Sequence, residues 1–175
     1  MSNLLNQIPE IPVADGVEKL MDVVIENFSG AFKFIQNSVD FLMEGMTDLL
    51  IVIPPIIFIL FIALLAFFVS GKKFGLALFS VIGLLFIYNQ GLWDQLMNTF
   101  TLVLFSSLIA IVLGVPIGIL MSKSKAAEEI IKPVLDLMQT MPGFVYLIPA
   151  VAFFGIGVVP GVFASVIFAL PPTVR

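Results

Sequence analysis

The side chains that most enzymes use for nucleophilic and metal chemistry are missing from this sequence. Its 175 residues include no cysteine and no histidine. The chain therefore offers no thiolate nucleophile, no imidazole base and no ordinary zinc site. The sequence predicts no catalytic, cofactor-binding or metal-binding residue, and this disfavours an enzyme.

Prolines and aromatic side chains in one apolar stretch are the stronger candidates for function. Proline removes a backbone donor, and a carbonyl freed at membrane depth is tolerated only against protein or a water-lined cavity. The stretch from Met138 to Gly157 therefore fits either an ordinary kinked, packed helix or part of a transport pathway. The predicted pathway or gate residues are Met141, Pro142, Phe144, Tyr146 and Pro149.

Three aromatic residues could contact a quaternary ammonium group through the negative faces of their rings. They are Trp93, Tyr88 and Tyr146, which are widely spaced in the sequence. Trp93 and Tyr88 follow an apolar run, a position typical of the aromatic belt at a membrane interface. Tyr146 remains a candidate for contact with a passing cation.

Composition indicates that lipid surrounds most of the chain. Hydrophobic residues make up 60% and charged residues 11% of the sequence, and the mean hydropathy is +1.16. Soluble domains are roughly half apolar and a quarter charged. We predict an all-α, polytopic membrane protein with about five transmembrane helices.

Four uncharged runs supply these predicted crossings. The first three extend from Leu49 to Gly71, from Phe74 to Trp93 and from Gln95 to Ser122. The fourth, Leu137 to Val174, is long enough for two crossings of about twenty residues each. The glycines and proline between Gly155 and Gly161 predict a turn between them.

Basic residues predict the orientation, because short loops rich in lysine and arginine stay in the cytoplasm. They occur at alternate ends of the predicted spans: Lys72, Lys73, Lys123, Lys125, Lys132 and Arg175. This pattern places the N-terminus outside the cell. No charge lies deep within a predicted span, which weighs against an ion-coupled secondary transporter.

The first 48 residues differ from the rest because they are acidic and amphipathic. Apolar residues recur from Val13 to Thr47 at helical spacing, which predicts one or two amphipathic helices with a break at Ser29-Gly30. Such helices would lie at the outer membrane interface or against a partner protein. Met1 to Pro12 lack signal-peptide features, so we expect no cleaved leader.

Two further segments have structural interpretations. Gly114 and Gly118 have the spacing that lets two helix backbones approach closely, which predicts tight helix packing. The mixed-charge segment from Ser122 to Pro133 predicts a cytoplasmic loop or short surface helix, with Glu128 and Lys132 as an i,i+4 pair. Contact of this segment with an ATPase subunit is a second interpretation.

Four stretches together resemble a known family. They are Asn98 to Leu102, Gly114 to Gly118, Leu135 to Pro142 and Ala169 to Arg175. Over Trp93 to Arg175 the chain is similar to the binding-protein-dependent ABC permeases that import glycine betaine and proline betaine, and its N-terminal organisation also resembles theirs.

The resemblance implies a type I importer core at residues 93–175, preceded by an external segment at 1–48 and two additional helices at 49–92. It also implies a plasma-membrane homodimer surrounded by lipid, a cytoplasmic ATPase that binds ATP and magnesium, and an external binding protein or domain. No nucleic acid is expected as a partner. The family's coupling loop would follow Arg175, so we expect a truncated core.

Two other functions remain open at this stage. One is a non-transporting membrane scaffold whose amphipathic segment organises partner subunits. The other is an ABC permease for choline, carnitine or an amino acid.

Single cysteines test the predicted orientation, because the 175 residues contain no native thiol. We expect a membrane-impermeant thiol reagent to label Ser38→Cys in intact cells and Ser124→Cys only after permeabilisation. The reason is that a charged reagent does not cross the hydrocarbon layer. Labelling of Ser124→Cys alone in intact cells would reverse the topology.

Overall fold

A computed structural model describes residues 13–175, and all regular structure in that part of the chain is helical. The predicted all-α class is therefore confirmed. The helices are α1 (Val13–Ile51), α2 (Pro55–Val69), α3 (Phe74–Asn89), α4 (Trp93–Lys123), α5 (Lys125–Thr140), α6 (Phe144–Phe154) and α7 (Val158–Val174). The prediction for Met1 to Pro12 lies outside the described residues.

Helix α1 is a single helix of 39 residues, about 58 Å long at 1.5 Å per residue. It passes through Ser29-Gly30 without interruption, so the predicted break there is wrong. A glycine inside a helix costs only about 1 kcal/mol. The Ser29 hydroxyl also donates a hydrogen bond to the Glu26 carbonyl at 3.3 Å, which keeps it within the helical turn.

Two sharp bends divide the chain. The axis turns by 90° between α1 and α2, and by 97° between α5 and α6. At the first bend, Pro54 precedes α2 and Pro55 occupies its first turn. N–H groups in the first turn have no acceptor within the helix, so a proline there costs no hydrogen bond. Both prolines thus lie at the start of the apolar helix α2.

The described helices differ in length from the predicted crossings. Helix α4 is long and apolar enough to span a bilayer alone, and the count rises to three if α1 with α2 and α5 with α6 each form one bent span. Helices α3 and α7 are apolar but have only 16 and 17 residues. By length and composition, residues 13–175 therefore contain one to three clear spans, fewer than the predicted number of about five.

Helices α4 and α7 form the central pair and run parallel to each other. Near their N-terminal ends a Cβ on Gly161 would lie 3.2 Å from a methyl group of Leu102. Near their C-terminal ends a Cβ on Gly118 would lie 2.6 Å from the Val174 carbonyl oxygen. The contacts thus advance in the same direction along both helices. Arg175 therefore lies at the same end of the pair as Lys123.

The predicted close packing at Gly114 and Gly118 is confirmed. A Cβ on Gly114 would lie 2.8 Å from Cγ2 of Thr173. Because real Cβ atoms do not approach other atoms this closely, only glycine permits the observed separation of the two backbones.

Two apolar clusters pack against α4, one at its start and one near its middle. Met43 of α1 packs with Phe105 of α4 and with Val162 and Val166 of α7. The second cluster joins α2 to the start of α4 and consists of Phe58, Ile59, Trp93 and Met97. Helix α4 therefore connects the N-terminal helices to the C-terminal ones.

Trp93 belongs to this second cluster and not to an exposed aromatic belt. Its side chain is 8% exposed, and its ring meets Phe58 edge to face at 5.7 Å and Tyr88 at 5.9 Å. The belt prediction for Trp93 is therefore wrong, because Phe58 of α2 and Tyr88 of α3 pack against its ring. Tyr88 remains exposed at the end of α3.

We predict that Gly118→Ala destabilises the protein. The added methyl would overlap the Val174 carbonyl, so the two backbones must separate at a cost of about 1–3 kcal/mol. Thermal unfolding of the purified protein in detergent measures this as a lower midpoint.

Gly83→Ala is the matched control, because no atom lies within 4 Å of a Cβ at that position of α3. Its midpoint should stay constant or rise slightly, since alanine has the higher helix propensity. Equal effects of the two substitutions would contradict the close packing of α4 and α7.

Candidate functional site

The predicted pathway residues lie at the bend between α5 and α6. Helix α5 ends at Thr140, and Met141 takes an extended conformation with φ −83° and ψ 136°. A residue before proline is pushed out of the helical region by the proline ring, so Pro142 accounts for this conformation. The helix break therefore lies at the proline that the sequence identified.

The bend corrects the predicted start of one crossing. Leu137 to Thr140 were assigned to a span that begins at Leu137, but they form the last turn of α5, which begins at Lys125. Of the segment predicted as a loop or short helix, Ser122 to Pro133, the residues from Lys125 onward belong to α5, a helix of 16 residues. The Ser124 hydroxyl caps it by accepting a hydrogen bond from the Ala127 N–H at 3.3 Å.

Tyr146 ties the two sides of the bend together. Its hydroxyl donates a hydrogen bond to the Met138 carbonyl at 2.8 Å. Met138 lies in the last turn of α5, where carbonyls have no partner within the helix. The phenol thus satisfies a backbone acceptor while it fixes the angle between α5 and α6.

Pro149 lies inside α6, which continues to Phe154. Its ring removes the N–H that would bond the Val145 carbonyl, yet the helix is not ended there. Its neighbour Ala150 is fully buried. Pro149 therefore weakens this short helix without breaking it.

Phe144 is the predicted residue that lines a cavity. Its side chain is 79% exposed and lines a cavity of about 430 Å³ between α6 and α7. The residues that line this cavity are Gly143, Phe144, Leu147, Gly161, Ala164, Ser165 and Phe168. Met141, Pro142, Tyr146 and Pro149 are not among them.

The α7 residues of this cavity were missed by sequence reasoning. Gly161, Ala164, Ser165 and Phe168 stand at positions i, i+3, i+4 and i+7, which is one face of a helix. That spacing was readable in the sequence. The sequence did not show what this face meets, because the opposite wall of the cavity comes from another helix.

A charged cluster lies at the other end of α7. The Arg175 guanidinium forms an ion pair with the Asp136 carboxylate of α5, and Lys132 pairs with Glu128 at 3.7 Å. The Glu128–Lys132 pair confirms the prediction from i,i+4 spacing. The Arg175–Asp136 pair was not predicted, because its partners are 39 residues apart; exposed pairs of this kind contribute about 0–1 kcal/mol.

Comparison with known proteins gives extensive similarity. The chain is 54% identical over 170 residues to the glycine betaine/carnitine transport permease protein GbuB of Listeria monocytogenes, which covers 96% of this chain and 60% of that protein. It is 47% identical over 171 residues to the glycine betaine transport system permease protein OpuAB of Bacillus subtilis, which covers 98% of this chain and 60% of that protein.

A third relative is the glycine betaine/proline betaine transport system permease protein ProW of Escherichia coli, 42% identical over 165 residues, or 94% of this chain and 46% of that protein. No family model matches the chain. The chain spans about half to three fifths of the length of these curated relatives. Because the similarity extends over nearly all of its residues, the chain belongs to the family of glycine betaine ABC transport permeases.

Proposed function

We propose that the chain is part of the permease subunit of an ATP-driven importer for glycine betaine or a related quaternary ammonium solute. The observation that carries this proposal is the identity of 42–54% to three such permeases over at least 94% of the chain. A trimethylamine N-oxide transport permease of Ruegeria pomeroyi is also 32% identical over 164 residues. The solutes named for these relatives share a positively charged, methylated nitrogen.

The proposed assembly contains further subunits. Two copies of the permease would form the pathway, separate cytoplasmic ATPase subunits would bind and hydrolyse ATP, and an external binding protein or domain would deliver the solute. The complex would lie in the plasma membrane with the N-terminus of this chain outside. The parallel arrangement of α4 and α7 supports this topology, since it puts Arg175 beside the lysine-rich end of α4.

Within this assembly, the bend between α5 and α6 is the proposed gate. Its residues are the five that the sequence singled out: Met141, Pro142, Phe144, Tyr146 and Pro149. Pro142 interrupts the helix, Pro149 weakens the next one and the Tyr146 hydroxyl holds the angle between them. A change of this angle would move Phe144 relative to α7.

A scaffold without transport activity is the second candidate, and helix α1 favours it. Its N-terminal half exposes Val17, Leu20 and Phe28, and Gly16 and Gly30 have no atom within 4 Å of a Cβ position. This half of α1 is thus available for contact with lipid or a partner. Choline, carnitine and amino acids remain alternative solutes for a transporter.

Reconstituted uptake tests the proposed function. Vesicles that contain the complete complex should accumulate labelled glycine betaine when ATP is supplied on the cytoplasmic side, and a non-hydrolysable ATP analogue should support no accumulation. Uptake that continues in a complex assembled without this subunit would eliminate the transporter and leave the scaffold. Competition by unlabelled carnitine, choline or amino acids would identify the preferred solute.

Tyr146→Phe tests the gate. The substitution removes the hydrogen bond to the Met138 carbonyl, a loss of about 1 kcal/mol that corresponds to roughly a fivefold change in the population of the observed angle. We expect a change of the same order in the rate of ATP-dependent uptake. Tyr88→Phe is the matched control, since the Tyr88 hydroxyl makes no hydrogen bond within residues 13–175; equal rates for both variants and the parent protein would contradict the gate.

A further inference from the structure

We infer that the cavity between α6 and α7 binds the methylated ammonium group of the solute during its passage, through the rings of Phe144 and Phe168. This inference rests on the proposed function and adds a site to it. The cavity is the one of about 430 Å³ described above, and the two phenylalanines stand on its opposite helices.

The positively charged nitrogen of a solute that crosses this part of the protein needs a partner other than a protein carboxylate. No acidic residue occurs between Gln95 and Ala127 or between Leu137 and Arg175. A positive charge without compensation in an apolar surrounding is strongly unfavourable. Aromatic ring faces provide compensation without a formal charge, and they are suited to methylated ammonium groups, which donate no hydrogen bond.

The geometry brings two such rings to one cavity. Phe168 of α7 reaches toward the bend, since a Cβ on Gly143 would lie 3.9 Å from Cδ2 of Phe168. Phe144 starts α6 immediately after that glycine. The missing side chain of Gly143 leaves the space beside Phe168 open, and Ser165 adds one hydroxyl to an otherwise apolar lining.

Both phenylalanines are largely exposed, at 79% for Phe144 and 59% for Phe168. Other aromatic residues nearby have partners: Phe163 packs against Phe154 with ring centroids 5.5 Å apart, and the Tyr146 hydroxyl is bonded to Met138. Phe144 and Phe168 are thus the rings of the described α6–α7 cavity with faces free for a ligand.

The position of the site also links its affinity for the solute to the bend between α5 and α6. Phe144 lies directly after the bend between α5 and α6, whereas Phe168 lies on α7, which packs tightly against α4. A rotation at the bend would move Phe144 relative to Phe168 and open one side of the site. Binding and release of the methylated ammonium group would thereby be linked to the angle that Tyr146 holds.

The test replaces Phe168 in the complete complex by phenylalanines that carry one, two and three ring fluorines. Fluorine withdraws electrons and weakens the negative ring face while the size of the side chain is nearly kept. With saturating loaded binding protein, ATP-dependent uptake of glycine betaine should fall stepwise, by roughly two- to thirtyfold over the series. Phe168→Trp should retain uptake, because indole binds cations most strongly of the natural aromatic side chains.

The same fluorinated series at Phe163 is the control, since that ring is on α7 but outside the cavity lining. It should leave uptake unchanged. Loss of uptake in Phe168→Leu without any dependence on fluorination would show that another helix or lipid covers Phe168, and would overturn the site. Absence of uptake in the parent complex would instead overturn the proposed function, so the two failures are distinguishable.

Discussion

Backbone hydrogen bonding in a medium without water is the constraint on which this structure depends. Every N–H and C=O in hydrocarbon needs a partner within the protein, so the spans must be helical and each interruption must satisfy its own polar groups. The interruptions after α2 and α3 do so in the same way. The backbone N–H of Lys72 donates to the Phe67 carbonyl at 2.9 Å, and that of Leu92 donates to the Ile87 carbonyl at 3.2 Å. Each bond closes around a glycine with positive φ, at positions 71 and 91.

The contact of α4 with α7 is the second element of the architecture. Between helices in lipid there is little hydrophobic driving force, so close van der Waals packing must supply the attraction. Gly114 and Gly118 supply it by letting Thr173 and Val174 approach the α4 backbone. The apolar clusters around Phe105 and Met97 then attach α1, α2 and α3 to the same helix.

The sequence predicted those features that depend on local chemistry. The limits of α4 and the close approach at Gly114 and Gly118 each follow from charge or glycine within a few residues. Pro142 was singled out as well, but the predicted span ran through it from Leu137, whereas the structure ends α5 at Thr140. The continuity of α1 through Gly30 was missed because one glycine does not outweigh the surrounding helical pattern. The burial of Trp93 and the joint lining of one cavity by Phe144 and Phe168 were beyond reach, because both depend on how distant helices fold back on each other.

Helix α6 occupies a special place in this arrangement. It has eleven residues and is joined at one end to Met141–Gly143 and at the other to Gly155–Gly157, where Gly155 has a φ of 76°. Helix α6 is nevertheless held by packing, because the rings of Phe153 and Phe154 meet Phe32 of α1 with centroids 5.0 Å and 5.6 Å apart. A change in the angle between α5 and α6 would therefore have to rearrange these aromatic contacts, which makes the long amphipathic helix α1 a neighbour that senses the bend.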